Sequence, residues 1–547
     1  MEKPIIYQLM PRWFTNVNDH CVPDGTMQQN GSGKFNEIDQ RILRAIKHLG
    51  VTHVWYTGII EHATKTVFPG IAPCNPHVVK GQAGSPYAIR DYYDVSPELA
   101  DDVSHRMDEF EALVQRTHDA GMKVIIDFVP NHVARQYASD SRPDGVTDLG
   151  ENDNTGMFFE PNNNFYYITG ETFAPNIDLG HGDDAYLEHP ARATGNDCWH
   201  ARPGMNDWYE TVKLNYGIDP WNGSRHFSPI PDTWHKMLHI MQFWCNKGID
   251  GMRCDMVHMV PVEFWHWAIG QIKSEFPHMV FIAEIYDTNL YRSYIHDGGF
   301  DYLYDKVTLY DTLFNIVRNG ASTQHITGCW QAMDDIRSHM LNFLENHDEL
   351  RLASPQFAGD ALKGRPALVV SACISTCPMM IYAGQELGER ALDAEGFSGR
   401  DGRTTIFDYW SVPTIRQWLA RQQLNRRNPL RDYYKRVLTL CNTEQSIASG
   451  ALFDLMYVNP HLTRQYAFLR HYKNEVLLIV ANFDDQPVNA PINIPDHALQ
   501  QLSLSPGTYH ASDVLHTGNQ LINITSLEPL HITVAAQDAV ILKILKK

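Results

Sequence analysis

The chain has 547 residues, 43% of them hydrophobic and 20% charged, which is ordinary globular usage and too apolar for general disorder. Asp plus Glu number 64 against 45 for Lys plus Arg, a formal charge of −19, and an acidic surface of that kind excludes an ordinary nucleic-acid binder. Collagen, coiled coil and small disulfide scaffolds are excluded by composition, and at roughly 100–200 residues per domain the length allows about three domains.

In chain order, Met1-Glu2-Lys3-Pro4 runs straight into the apolar segment 5–9 with no signal-peptide core or cleavage site, which reads toward a cytoplasmic protein. Short apolar runs at 5–9, 51–57, 123–129, 251–256, 280–285, 302–304, 340–344 and 379–383 are the predicted strands. Amphipathic stretches separate several of them, the clearest at 38–49 and 106–120, each followed by glycine at Gly50 and Gly121 as helix C-termini favour. Buried runs alternating with helices predict a parallel sheet, and eight of them predict an α/β fold of the (β/α)₈ barrel type.

After the third strand, the next convincing helix is 233–246, and residues 133–232 are rich in Asn, Asp, Gly, Pro and aromatics. A structureless loop of that length is implausible, so this stretch is read as a small domain inserted at the barrel's C-terminal face. From 447 to 547 the texture changes to alternating β-type runs with turn residues between, which predicts a C-terminal antiparallel β-sandwich. The barrel is then 1–132 with 233–446. Residues 366–384 lack charge but contain Ser, Thr and Pro, so they read as a helix and a buried strand rather than a membrane span. The nine cysteines are odd in number and scattered, which suits reduced thiols better than a disulfide framework. Cys74-Asn75-Pro76-His77 has no second half with ligand spacing and reads as a loop.

Barrels of this type carry their chemistry where strands end. Strand three ends in Asp127, Asn131 and His132, strand four in Arg253 and Asp255, strand five in Glu284, and strand seven in Asn346-His347-Asp348. Four strand ends thus bring carboxylates, two histidines and an arginine to one face. Acetal cleavage needs this chemistry: one carboxylate to attack or stabilise an oxocarbenium ion, one protonated acid for the leaving oxygen, and neighbours that hold hydroxyls. Alternation points Arg253 and Asp255 the same way and sends Cys254 into the core.

These segments resemble the signature regions of the α-amylase family of glycoside hydrolases: D-x-V-x-N-H, G-x-R-x-D, an Ala-Glu strand end and N-H-D, in that order. The opening Ile6–Arg12 segment and Ser85-Pro86-Tyr87 are similar to the family as well. The resemblance implies a retaining glycosidase acting on α-1,4-glucans or maltooligosaccharides, with Asp255 as nucleophile, Glu284 as general acid/base and Asp348 as third carboxylate. It implies that Arg253 ionises Asp255 while Glu284 holds a proton, that His132 and His347 bind sugar hydroxyls, and that Tyr87 stacks on the sugar. It also implies a structural calcium near Asn131, between barrel and insertion, and no organic cofactor. Many relatives carry a Lys-His pair three and four residues after the nucleophile; here those positions are His258 and Met259, which leaves the acceptor side, including a substrate contact by His258, and calcium open.

Asp148, Asp153 and Asp178 are further calcium candidates that read more simply as loop residues. Trp199, His200, Trp208 and Trp221 either stack on sugar or form a core of their own. The charged run 389–403 reads as a solvated loop near the active face. The same catalytic set serves a glucan transglycosylase. A non-catalytic carbohydrate-binding homologue would generally have lost the nucleophile or the acid, and both are present.

Overall fold

A computed structural model describes residues 2–420, 424 and 427–545. The eight predicted strands all form: β1 (Ile5–Leu9), β2 (His53–Tyr56), β3 (Lys123–Phe128), β4 (Gly251–Cys254), β5 (Val280–Ala283), β6 (Tyr302–Tyr304), β7 (Met340–Phe343) and β8 (Met379–Tyr382). They close into one parallel barrel in sequence order, with β8 pairing back onto β1. Nearly every strand residue is buried, because the side chains fill the barrel on one face and meet helices on the other.

The helix between β1 and β2 spans Gln40–Lys47 and starts two residues later than its apolar period suggests, because Asp39 accepts from the Ile42 N–H as its N-cap. Gly50 turns the chain into β2 at φ 92°, and a Cβ there would lie 3.1 Å from the Thr439 nitrogen. Backbone conformation and close approach both require glycine at this point. Residues 366–384 divide as expected between the helix Arg365–Cys373 and β8. Among the described residues no helix is long and apolar enough to cross a membrane, and none of the nine cysteines is in a disulfide.

Between β3 and the helix Asp232–Asn246, the chain makes a long excursion with little regular structure. Two short antiparallel pairs organise it, His132–Ala134 with Thr211–Lys213 and Tyr167–Ile168 with Ala191–Arg192. A small apolar cluster that includes Phe173, Tyr186 and Ala201 packs inside it. Glu188 is buried between Arg135 and Arg192, at 2.7 and 2.9 Å. Burial alone would raise its carboxyl, but the two guanidiniums hold it down to about 2.

Residues 451–545 form a six-stranded antiparallel sheet and a separate two-stranded one. One apolar cluster runs without a break from the barrel into this sheet, from Val437 and Leu438 to Leu478 and Ile541. The buried Arg470 guanidinium donates to the carbonyls of Ile374, Ser446 and Gly450 at 2.7–3.0 Å. On the other side Tyr433 donates to Asp538 at 2.8 Å. Removing residues 447–547 would uncover this apolar seam and leave the carbonyl of Ile374 without its donor. The truncated chain is therefore expected to aggregate or lose its cooperative melt in size-exclusion and circular-dichroism measurements. A monodisperse, cooperatively melting truncation would count against a stabilising role for this sheet.

Candidate active site

The C-terminal strand ends surround a cavity of about 400 Å³, within the roughly 300–1,000 Å³ typical of small-molecule sites. Asp255, Glu284, Asp348, Tyr87 and His132 all line it. Arg253 is fully buried beneath, with Nη1 2.8 Å from Asp255 Oδ1 and Nη2 2.8 Å from Glu284 Oε2. Its Nε donates to the Tyr304 hydroxyl at 3.1 Å. One guanidinium therefore bridges two carboxyls that are themselves within hydrogen-bond reach of each other, rather than serving Asp255 alone.

This bridge changes the expected division of labour. The Met256 N–H and the Tyr286 hydroxyl both donate to Glu284, at 2.9 and 2.6 Å. Asp255 has Arg253 as its cationic partner, and burial followed by the adjacent Glu284 charge pushes its carboxyl well above the ordinary range. Burial and the adjacent Glu284 thus oppose Arg253 at Asp255, where the sequence expectation had Arg253 alone set its ionisation. Met256 itself sits at φ 43°, a left-handed backbone that costs about 1–2 kcal/mol for a non-glycine residue. Its N–H bond to Glu284 is the contact that this conformation makes available.

His347 stands behind the lining rather than in it, with Nε2 3.0 Å from Oδ2 of the lining residue Asp348. Burial alone would raise Asp348, but His347 and the Arg253 and Arg403 guanidiniums hold it below the ordinary range. The Tyr87 ring stacks on His347 with centroids 5.3 Å apart, and its hydroxyl contacts His347 Nε2 and Asp127. Asp127 also accepts from Trp55 Nε1 and the Gly58 N–H at 3.1 and 3.2 Å. His132 rests against Trp208 at 5.2 Å. Burial and the nearby Lys213 charge lower His132 to about 3, so its imidazole is neutral across the working pH range.

Several contributors were not singled out in the sequence. Gln8, an amide in an apolar strand, reaches His347 Nδ1 at 2.7 Å and the Thr57 hydroxyl at 2.9 Å. A polar residue inside the run Ile5–Leu9 was the available signal. Tyr286, two residues past Glu284, also lines the cavity, as do Lys80 and Glu210, which pair at 2.9 Å. The four uncertain residues of the excursion divide: Trp208 lines the cavity, whereas Trp199 packs on Tyr166 and Phe158. Trp221 is exposed against Phe158, and His200 lies beside Cys198. The run 389–403 is anchored rather than simply solvated, since Arg403 donates to the Asp348 carbonyl at 2.7 Å and Glu395 is buried.

His258 does not line the cavity. The left-handed Met256 starts the short 3₁₀ turn Val257–Met259, which holds His258. Asn131 is engaged as well: its Oδ1 accepts from Lys213 Nζ at 2.5 Å. The same ammonium lies 2.6 Å from Asp197 Oδ1 and 3.4 Å from the Met259 carbonyl.

A profile of the alpha amylase catalytic domain matches residues 8–408. The chain belongs to the α-amylase family. A cyclomaltodextrinase of Thermoanaerobacter pseudethanolicus is 20% identical over 491 residues, covering 87% of this chain and 70% of the relative. Alpha-amylase 2 of Dictyoglomus thermophilum is 21% identical over 539 residues, covering 97% and 75%. A noncanonic maltogenic alpha-amylase, AmyB, from Thermotoga neapolitana shares the fold, with a TM-score of 0.65 at 18% identity over 100% of this chain and 99% of that one. As a member of this family the protein is a glycoside hydrolase of the α-amylase type.

The family resemblance implies calcium at Asn131, and the donors there do not fit it. Calcium takes about six to eight oxygen ligands at roughly 2.3–2.6 Å, and here the oxygens converge on an ammonium. The acidic loop candidates make local backbone contacts. Asp148 accepts from the Ser139 N–H, Asp153 from the Asn164 and Phe165 N–H groups, and Asp178 from the Gly180 N–H. Elsewhere among the described residues, carboxylate oxygens of Glu61, Asp94 and Asp140 lie within 4.8 Å of one another and could hold a metal ion. Arg106 already contacts Asp94 there, at 2.5 Å.

Proposed function

We propose that the protein is a retaining glycosidase that hydrolyses α-1,4-glucosidic bonds of starch-type glucans or maltooligosaccharides through a covalent glycosyl-enzyme intermediate. The observation that carries this reading is the pair of carboxyls, Asp255 and Glu284, bridged by one guanidinium in a sugar-sized cavity. Retention needs the two groups about 5–5.5 Å apart, whereas inversion needs roughly 6.5–9.5 Å to seat a water between them. Contact of both carboxyls with one guanidinium, each at 2.8 Å, supports the first.

In this reading Glu284 passes a proton to the glycosidic oxygen as that bond breaks. Asp255, left as carboxylate beside Arg253 Nη1, forms the bond to the anomeric carbon. Glu284 then takes a proton from water, which displaces Asp255 and releases the sugar. Asp348, held ionised by His347, accepts from ring hydroxyls. The neutral His132 completes the hydroxyl contacts, and Trp208 offers an apolar face to a sugar ring. Cleavage of α-1,4-glucans accords with the family and with relatives named for maltodextrin and amylose chemistry.

Chromatography of maltooligosaccharide, pullulan and starch incubations over time is the test. Shorter products with rising reducing ends are expected. Products longer than the substrate would assign glycosyl transfer instead, and no product from any of the three would overturn the glucan reading.

A further inference from the structure

The joint between barrel and excursion is built around one charge. Three oxygens from three chain segments face Lys213 Nζ: the Asn131 amide after β3, the Asp197 carboxylate in the excursion, and the Met259 carbonyl in the turn after Asp255. An ammonium has three N–H donors and no acceptor, so the donor count matches the oxygens one for one. Its single charge is balanced by the single carboxylate of Asp197.

Local pairing puts it there. Thr211–Lys213 runs antiparallel to His132–Ala134 with Lys213 opposite His132, beside the residue that supplies the amide. The other end of that amide is fixed too, because Asn131 Nδ2 donates to the Gly195 carbonyl at 2.8 Å. Asn131 and Lys213 are both buried. Burial pulls the Lys213 ammonium below its ordinary value, and the Asp197 carboxylate opposes that pull.

We propose that the Lys213 ammonium is the resident cation of this joint, in the place where the family resemblance implies calcium, so that the fold and the seating of His132 do not depend on a divalent metal. The same oxygens that a structural ion would gather from barrel and excursion are gathered by a side chain of the excursion itself. A covalently tethered cation cannot be chelated, and it is present as soon as the two strands pair. Removing it leaves three oxygens, one of them a carboxylate, around an empty centre. Such a centre suits a hard divalent cation completed by water.

The test reads metal content and melting temperature, neither of which depends on which glucan is cleaved. Full-length wild-type protein, dialysed against calcium and desalted, is expected to carry no stoichiometric calcium by elemental analysis and to melt at the same temperature with and without chelator. Lys213→Ala is expected to melt several degrees lower and to regain part of the loss as calcium is added, since an ion bound only by the native state raises its stability. Lys213→Arg, which keeps the charge, should fall between the two and ignore calcium. One calcium per wild-type chain together with a chelator-lowered melt would overturn the proposal. So would a Lys213→Ala protein that melts like wild type, or one that is destabilised and does not respond to calcium. Should Lys213→Ala fail to fold, the wild-type and Lys213→Arg measurements decide by themselves.

Discussion

Asp255→Asn should fold like the parent and still bind maltooligosaccharide, yet turn it over more slowly by a factor on the order of 10⁴, about 5.4 kcal/mol of lost transition-state stabilisation at 1.36 kcal/mol per decade. The amide is nearly isosteric and keeps an oxygen toward Arg253 Nη1, now 2.8 Å from Asp255, so the guanidinium is not left without a partner. What disappears is a carboxylate able to bond to the anomeric carbon. The substitution also removes one buried titratable carboxyl, so the melting temperature should hold steady or rise slightly. Circular dichroism and calorimetric titration with a maltooligosaccharide check fold and binding; initial rates check turnover. Proton NMR on fresh wild-type product should show the α-anomer before mutarotation. An initial β-anomer, or an Asp255→Asn protein of near-normal rate, would remove Asp255 from the nucleophile's role.

Much of this site is legible in the chain because a parallel barrel imposes a simple grammar. Strands buried on both faces, such as Val280–Ala283 or Met379–Tyr382, must be continuous apolar runs, and whatever polar residue follows each run stands at the same rim. Asp255, Glu284 and Asp348 were visible for that reason alone. Gln8 was less visible because its partners, Thr57 and His347, lie far away in the chain, and Tyr286 because its contact with Glu284, two residues earlier, shows only in the folded loop. Lys213 was invisible, since its partner Asn131 lies 82 positions earlier and only the strand pairing of the excursion brings them together. The bridging role of Arg253 was hidden for a related reason: strand alternation gives Arg253 and Asp255 a common face but says nothing about the second Nη reaching Glu284. Helix ends followed local chemistry where a side chain capped them, as Asp39 does, and apolar periodicity alone overran that boundary.

Glu284→Gln should abolish cleavage of ordinary maltooligosaccharides, again by a factor on the order of 10⁴ or less, but spare the first step on a substrate whose leaving group needs no proton. With an α-maltosyl fluoride, Asp255 can still attack and fluoride can depart unaided, so the variant should release fluoride in a burst while the second step, which needs a base for water, lags. The electrostatics add a signed expectation. In the parent, burial and the Glu284 charge beside it raise Asp255, while Arg253 is divided between the two carboxyls. Replacing Glu284 by a neutral amide deletes the repelling charge and leaves Arg253 to Asp255 alone, so the Asp255 carboxyl must fall. Because Asp255 has to be ionised to attack, the acid limb of kcat/KM for the fluoride should move to lower pH in Glu284→Gln than in the parent. The glutamine oxygen can keep the Arg253 and Met256 N–H contacts while its NH2 donates to the Tyr286 hydroxyl, which now accepts, so the wall of the cavity is kept and a change of shape does not explain the shift. Fluoride release as slow as the cleavage of maltooligosaccharide would mean that Glu284 is not the proton donor, and an acid limb that stays in place would mean that the charge coupling between the two carboxyls does not govern the reaction.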